Sequence, residues 1–395
     1  MSGSSLDGLD LAYVHLQEKA VTGKGPKSWE YTLVHTACYQ YPGSWRQRLA
    51  GAPGLSALEY QLLHAEYGHY LGEQVLRFIE EFGLHFQVQL IASHGHTAFH
   101  LPARRMTAQL GDGAALAAVT RINVVSDLRS MDVALGGQGA PIVPIGERWL
   151  LPGYDLFLNL GGIANLSKGG VAFDVCPANR VLNALVAPEG RAFDEDGALA
   201  AGGRVDPVLL EQLNALSYYD MAWPKSLANE FGTETVLPLV LAAGLSTSDA
   251  LRTYVEHIVV QIARAVGELQ QGASARPGPG AGADAELAAG ADAEHAAGAD
   301  GQHTAAADAE HAAAARLLAT GGGAHNSFLV NRLREELSSI GVEIVVPDPS
   351  LIDYKEALVM ALIGVLRWRE ENNVLASVTG ASRDSIGGAV YLGAQ

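Results

Sequence analysis

A chain of 395 residues that is 48% hydrophobic and 7% aromatic can bury a substantial core and is long enough for two lobes rather than one. With 26 Lys and Arg against 43 Asp and Glu, a formal charge of −17, it lacks the basic surface that holds a polyanion by counterion release, which argues against nucleic acid as a partner but leaves a small anionic substrate open. Two cysteines, Cys38 and Cys176, are too few for a disulfide framework or a closed zinc site, and the absence of a membrane-length apolar run or a secretory pattern at the start makes the cytoplasm the expected compartment.

The chain opens in a Gly/Ser-rich turn, and GLDLAYVHL from Gly8 to Leu16 mixes β-branched, aromatic and apolar residues as a strand does. From Leu55 to Glu81 the residues Leu58, Leu62, Tyr67, Leu71, Val75 and Phe78 recur at helical spacing, predicting a long amphipathic helix that stops at Gly83. VQLIASHGHT reads as a buried strand running into a loop. INVVSDL and DLFLNLGG read as further strands, alternating with helical stretches such as Leu251 to Leu269; this is the signature of α/β layering.

Residues 272–315 differ from their surroundings: after GASARPGPG come the imperfect octads ADAELAAG, ADAEHAAG, ADGQHTAA and ADAEHAAA. Almost nothing there can offset ordering entropy, so a disordered low-complexity insertion, or frayed alanine helix, is expected. His295, His303 and His311 recur every eight residues, a spacing that does not align them on one helical face, so repeat drift is preferred to metal binding and no protein metal site is expected.

Four polar, glycine-rich segments carry the chemistry. Ser2-Gly3-Ser4-Ser5-Leu6-Asp7-Gly8 precedes the first strand; glycines let a backbone approach phosphate closely and hydroxyls add donors, although one such motif alone is as well read as a hairpin turn. Asn159-Leu160-Gly161-Gly162-Ile163-Ala164-Asn165 forms a second such turn, followed by Phe173-Asp174-Val175-Cys176-Pro177. A carboxylate between a buried strand and a proline is an awkward choice for a plain hairpin, so Asp174 is the first candidate for a general base. Thr320-Gly321-Gly322-Gly323-Ala324-His325-Asn326 joins a strand to a helix, a bend that accommodates a nucleotide but lacks the GKS/GKT of a Walker motif and the spacing of a dinucleotide fingerprint. Between the first two segments lie Ser93-His94-Gly95-His96-Thr97, Gly111-Asp112-Gly113, Asp127-Leu128-Arg129 and Gly136-Gly137-Gln138-Gly139, polar groups at strand ends that suit a sugar's hydroxyls. His94 reads equally well as a core histidine bonded to backbone. A hydrolase dyad with Ser93 lacks the nucleophile elbow.

In order along nearly the whole chain, MSGSSLDGLD, ASHGHT, QLGDGAALA, DLRSMDVALGGQGAPIVP, LNLGGIANLS, AFDVCPANRVLN, FDEDGALAAGG, PKSLANEFG, ATGGGAHNSFL, KEALVMALIG and SVTGAS resemble the anhydro-N-acetylmuramic acid kinases, in the sugar-kinase branch of the actin/hexokinase-type ATPases. The resemblance implies a two-lobed α/β fold with a central cleft: an N-terminal lobe of residues 1–131 plus 374–395 and a C-terminal lobe of residues 132–373 that carries the insertion. It implies ATP and Mg²⁺ as cofactors, a homodimer, and hydrolytic opening of a 1,6-anhydro sugar with phosphorylation of O6. It assigns Gly3, Ser4, Ser5, Leu6, Asp7, Gly8, Leu9 and Asp10 to ATP phosphates and Gly321, Gly322 and Gly323 to the adenosine side, while the residues themselves make Gly161 and Gly162 a second phosphate-facing turn. It assigns catalysis to Asp174 and the sugar to Ser93, His94, Asp127, Arg129 and Glu356; Arg129 forks onto a lactyl carboxylate, while Glu356 reads equally as a surface charge paired with Lys355. Asp194 and Asp196 of FDEDG read as a turn. The family's usual strand before the first motif has no counterpart ahead of Met1, which predicts an unpaired edge and a loosely held turn. A levoglucosan-type kinase, a non-catalytic sugar-binding homologue and a scaffold acting through the octads are the rival readings.

Overall fold

The structure is a computed structural model and describes residues 1–2, 6, 8–19, 28–222, 225–228, 230–271 and 314–393. The octads with His295, His303 and His311, and Gly3, Ser4, Ser5 and Asp7 of the first turn, lie outside the described residues.

β1 (Gly8–Glu18) and β2 (Trp29–Gln40) form an antiparallel pair. Glycine at position 8 is required by this pairing, because a Cβ there would lie 2.7 Å from Cys38 Sγ and 2.8 Å from the Tyr39 carbonyl oxygen. Ahead of β1, Ser2 bridges Leu9, and Asp10 donates its N–H to the Met1 carbonyl at 2.9 Å. α1 (Ala57–Glu81) starts at a capping box in which Ser56 and Glu59 satisfy each other's backbone N–H groups. β3 (Leu90–Ala92) ends sooner than VQLIASHGHT implies: Gly95, at φ +67°, turns the chain into β4 (His96–Leu101), which pairs with β5 (Met106–Leu110). After α2 (Gly113–Thr120), β6 (Asn123–Ser126) runs parallel to β3.

The second half adds α3 (Pro144–Leu150) and a five-stranded sheet. β7 (Leu156–Leu160), β8 (Ile163–Lys168) and β9 (Val171–Pro177) form an antiparallel meander that leads into α4 (Asn179–Val186). α5 (Thr247–Gln270), capped by Ser246, covers the meander. β10 (Ala315–Thr320) lies parallel to β7, α6 (Ser327–Ser338) follows the glycine bend under an Asn326 cap, and β11 (Val342–Val345) lies parallel to β10. The strand order is β11-β10-β7-β8-β9. β10 claims Ala315, which the composition assigned to the octads. α7 (Pro349–Trp368) follows, and β12 (Ala389–Tyr391) returns to pair antiparallel with β6.

Two cores share the second sheet, one on each face. Leu156, Leu158 and Leu160 of β7 pack with Tyr254, Ile258 and Ile262 of α5. Phe157 and Leu318, on the opposite face by strand alternation, pack with Leu358, Leu362 and Ile363 of α7 together with Val125 of β6 and Trp29 of β2. α7 is therefore the wedge between the sheets, and truncating Leu358 or Leu362 to Ala would cost about 2–5 kcal/mol. Lys355 of α7 reaches Glu147 of α3 at 3.2 Å, and Ser167 of β8 donates to the other Glu147 oxygen at 2.6 Å. Both charged side chains are buried; this pair fixes geometry more than it adds stability. Among the described residues no helix is long and apolar enough to cross a membrane.

Candidate functional site

At the carboxyl ends of β7 and β10 the second sheet turns polar on the face that carries Phe157 and Leu318. Thr320 is in register with Asn159, Asn159 with Asn165, and Asn165 with Asp174. Residues directly opposite on paired strands share a face, so Thr320, Asn159, Asn165 and Asp174 form a row across four strands, about 14 Å from end to end at the usual strand spacing. The carboxyl end of parallel strands is where open α/β sheets take ligands.

At the Thr320 end the row enters a cleft of about 380 Å³ whose lining includes Asp10, Asn159, Thr320, Gly321, Asp353 and Glu356. Thr320 is fully buried and its hydroxyl has no hydrogen-bond partner among the described residues, an exception among native buried hydroxyls that calls for a missing acceptor or donor. Gly321 stands at φ +81°, and a Cβ there would collide with the Asn159 carboxamide. Gly322 and Gly323 continue as a short 3₁₀ turn, with a Cβ at Gly323 placed 2.8 Å from Leu160 Cβ. This backbone is cut to let a ligand or another chain segment close.

At the other end, Asp174 Oδ2 accepts the Leu227 N–H at 2.9 Å, Asp174 N donates to the Lys225 carbonyl at 3.0 Å, and the Tyr218 hydroxyl donates to the Asp174 carbonyl at 2.7 Å. Burial holds the Asp174 carboxyl above its ordinary range, and the Leu227 N–H opposes the rise. Oδ1 has no hydrogen bond to a described residue. A fixed carboxylate with one oxygen held and its proton affinity raised has the form of a general base. Nothing in PKSLANEFG marks Lys225 and Leu227 as its partners. Spacing alone could not find them.

A second cleft, about 640 Å³, is lined by residues that include Ser93, His94, Gln109, Asp127 and Tyr391. His94 accepts from Arg129 Nε at 2.8 Å through Nε2 and holds the Gly95 carbonyl at 3.0 Å through Nδ1. Burial, helped by the Arg129 charge, pushes His94 down to about 3, so it is neutral. Arg129 also donates from Nη1 to the Gly139 carbonyl at 2.6 Å. Burial lowers its pKa, while Glu356 and Asp132 act in the opposite direction. Asp127 adopts φ +54° and receives the Ser130 hydroxyl.

The structure thus brings Ser93, His94 and Asp127 together, with Arg129 behind His94. It places Glu356 in the first cleft, beside Asp10 and Gly321, and pairs Lys355 with Glu147 instead of Glu356. Leu6 stands at φ +56°; the Leu9 side chain belongs to the apolar core with Tyr41 and Leu49. Gly161 and Gly162 form the β7–β8 turn, and their carbonyls accept the N–H groups of Asn179 and Ala178. Asp194 caps the segment after it, accepting from the Leu199 and Ala200 N–H groups. The residues missed on sequence are Asn159, Asn165 and Thr320, each quoted only as the flank of a glycine motif.

Glycine turns at strand ends, a polar row ending in a half-buried carboxylate, and a glycine-edged cleft in an α/β fold have the form of a phosphotransferase site. The sequence profile described as "Anhydro-N-acetylmuramic acid kinase" matches residues 1–288 and 298–393. Curated relatives of that same name include those of Vibrio parahaemolyticus, 30% identical over 99% of this chain and 96% of the relative, and Gloeobacter violaceus, 32% identical over 97% and 95%. A third, from Paramagnetospirillum magneticum, is 37% identical over 67% of this chain and 74% of the relative. A solved structure, the activator of the 2-hydroxyisocaproyl-CoA dehydratase from Clostridium difficile with bound ADPNP, overlaps at a TM-score of 0.31 with 15% identity over 62% of this chain and 68% of that one, too loosely to bear on function. The chain belongs to the anhydro-N-acetylmuramic acid kinase family and is an ATP-dependent kinase.

Proposed function

We propose that the reaction is the hydrolytic opening of the 1,6-anhydro ring of 1,6-anhydro-N-acetylmuramic acid coupled to phosphorylation of O6, giving N-acetylmuramic acid 6-phosphate and ADP. The observation that carries this reading is Asp174: a half-buried carboxylate with raised proton affinity, in register with a polar row that runs into a glycine-edged cleft. Water supplies the anomeric hydroxyl. Asp174 Oδ1 takes the proton as that water attacks C1, and Leu227 N–H keeps Oδ2 from rotating into its place.

ATP, when bound, supplies the phosphoryl group. The residues at hand fit it: the Thr320 hydroxyl, without a partner among the described residues, is a donor for a ligand oxygen, and Gly321, at φ +81°, leaves room for the adenosine side of the nucleotide against the backbone. Mg²⁺, when bound, would be held chiefly by nucleotide and water, with Asp10 or Glu356 of the cleft lining as a protein carboxylate. Ser93, Asp127 and the free donors of Arg129 take the sugar and its carboxylate in the second cleft. A cytoplasmic homodimer belongs to this reading on family membership alone.

Asp174→Asn tests it. The variant keeps shape and one acceptor but not the base, so product formation from the anhydro-sugar and Mg-ATP is expected to fall about a hundredfold or more while both ligands still bind. Near wild-type turnover would remove Asp174 from the role.

A further inference from the structure

Arg180, the second residue of α4, carries a charge that the fold leaves unmatched. Among the described residues its enclosed Nε has no hydrogen-bond partner and no ion pair engages its guanidinium. Arg252 provides the contrast. Its Nε is also unpartnered, but its Nη2 pairs with Glu256 at 3.2 Å and its guanidinium covers the Phe328 ring. Arg129 is occupied by His94 and Gly139, and Arg332 by Glu256. In a chain with a formal charge of −17, a half-buried guanidinium without a carboxylate among the described residues is an exception, because an enclosed N–H lacking an acceptor is destabilising.

The surroundings say what is missing. The guanidinium lies on the Gly161–Gly162 turn: a Cβ at Gly162 would sit 3.7 Å from Arg180 Nε and 3.8 Å from Nη2. Gly232 borders its stem, with a Cβ there 3.6 Å from Arg180 Cδ. Two glycines thus border this side chain. The turn carbonyls serve backbone N–H groups at the start of α4 instead: Gly162 accepts from Ala178 at 2.8 Å and from Arg180 at 3.3 Å, and Gly161 from Asn179 at 3.1 Å. A guanidinium held beside a glycine turn, with its hydrogen-bonding capacity unspent, is built for an oxyanion.

We propose that Arg180 is a nucleotide-phosphate contact, donating to a phosphate oxygen of ATP at the Gly161–Gly162 turn. This rests on the reading that ATP phosphates lie at that turn. It adds a cation to a site whose glycine motifs offer only backbone and hydroxyl donors.

The test uses the full chain with three variants, Arg180→Met, Arg180→Lys and Gly162→Val, and measures the affinities for Mg-ATP and for 1,6-anhydro-N-acetylmuramic acid by calorimetry, with thermal melting alongside. Arg180→Met is expected to bind Mg-ATP at least tenfold more weakly, with sugar affinity within twofold and melting unchanged, and Arg180→Lys to recover part of the loss. ATP affinity within twofold of wild type in both Arg180 variants overturns the proposal, as does a loss confined to the sugar, which would make Arg180 the carboxylate's partner. Gly162→Val separates the two levels: if it weakens ATP binding and the Arg180 variants do not, only the role of Arg180 fails. If none of the three affects ATP, the phosphate site itself is elsewhere.

Discussion

Arg129 Nε donates to His94 Nε2 at 2.8 Å, so the guanidinium that sequence reasoning gave wholly to the substrate is partly spent on the protein. It sets the imidazole tautomer, with the proton on Nδ1 toward the Gly95 carbonyl, and leaves the second amino group and one N–H of Nη1 for a ligand. Arg129→Lys keeps the charge but loses the fork. The expected result is a KM for the carboxylated sugar raised about 10- to 100-fold with the KM for ATP little changed. An equal rise in both would move Arg129 out of the sugar site.

The raised proton affinity of Asp174 sets an acid limit to activity. Burial disfavours the carboxylate, so the base is lost on acidification at a higher pH than an ordinary aspartate near 3.9 would require. A profile of kcat/KM from pH 4 to 8 should therefore fall on its acid side with a midpoint above that value. The same limb persisting in the residual activity of Asp174→Asn would assign it to another group.

Stability should carry its own pH signature through His94 and His257. Burial holds both at about 3 in the folded protein, against 6.5 in an exposed imidazole. Between those values the unfolded chain binds more protons, so stability rises with pH and is lost as pH falls below 6.5, by up to about 1.4 kcal/mol per pH unit for each histidine. Burial also lowers His96 and His100, so His94→Gln, compared with the wild type in denaturant titrations at pH 7, 6 and 5, should reduce the loss on acidification but not abolish it. Superimposable pH dependences would mean that His94 does not contribute.

Thr320→Val separates a structural from a ligand-binding hydroxyl. The side chains are nearly isosteric, and because this hydroxyl has no partner among the described residues, its removal should leave stability unchanged or improve it by about 1 kcal/mol. The KM for ATP should rise severalfold. A clear drop in melting temperature without a change in KM would show that the hydroxyl serves the fold.

What the sequence determined by itself is what short-range periodicity and residue chemistry encode. The 3.6-residue spacing from Leu58 to Phe78 specifies α1, the apolar runs before Asn159 and Thr320 specify buried strands, and a carboxylate set before Cys176 and Pro177 singles out Asp174. The glycines at 161, 162 and 321 mark strand ends, and at Gly321 the local reason is explicit: the backbone stands at φ +81° with the Asn159 side chain against it. Only the tertiary structure decided which of these residues meet. Strand register, joining β10 to β7 across more than 150 residues, puts Thr320 and Asn159 in one row with Asn165 and Asp174. Helix packing sends Lys355 to Glu147, 208 positions away, and frees Glu356 for the cleft. Leu227 reaches Asp174 across 53 positions. Local propensity acts over a few residues, whereas these contacts follow from how two apolar faces of one sheet are covered, and that choice is made only when the whole chain has packed.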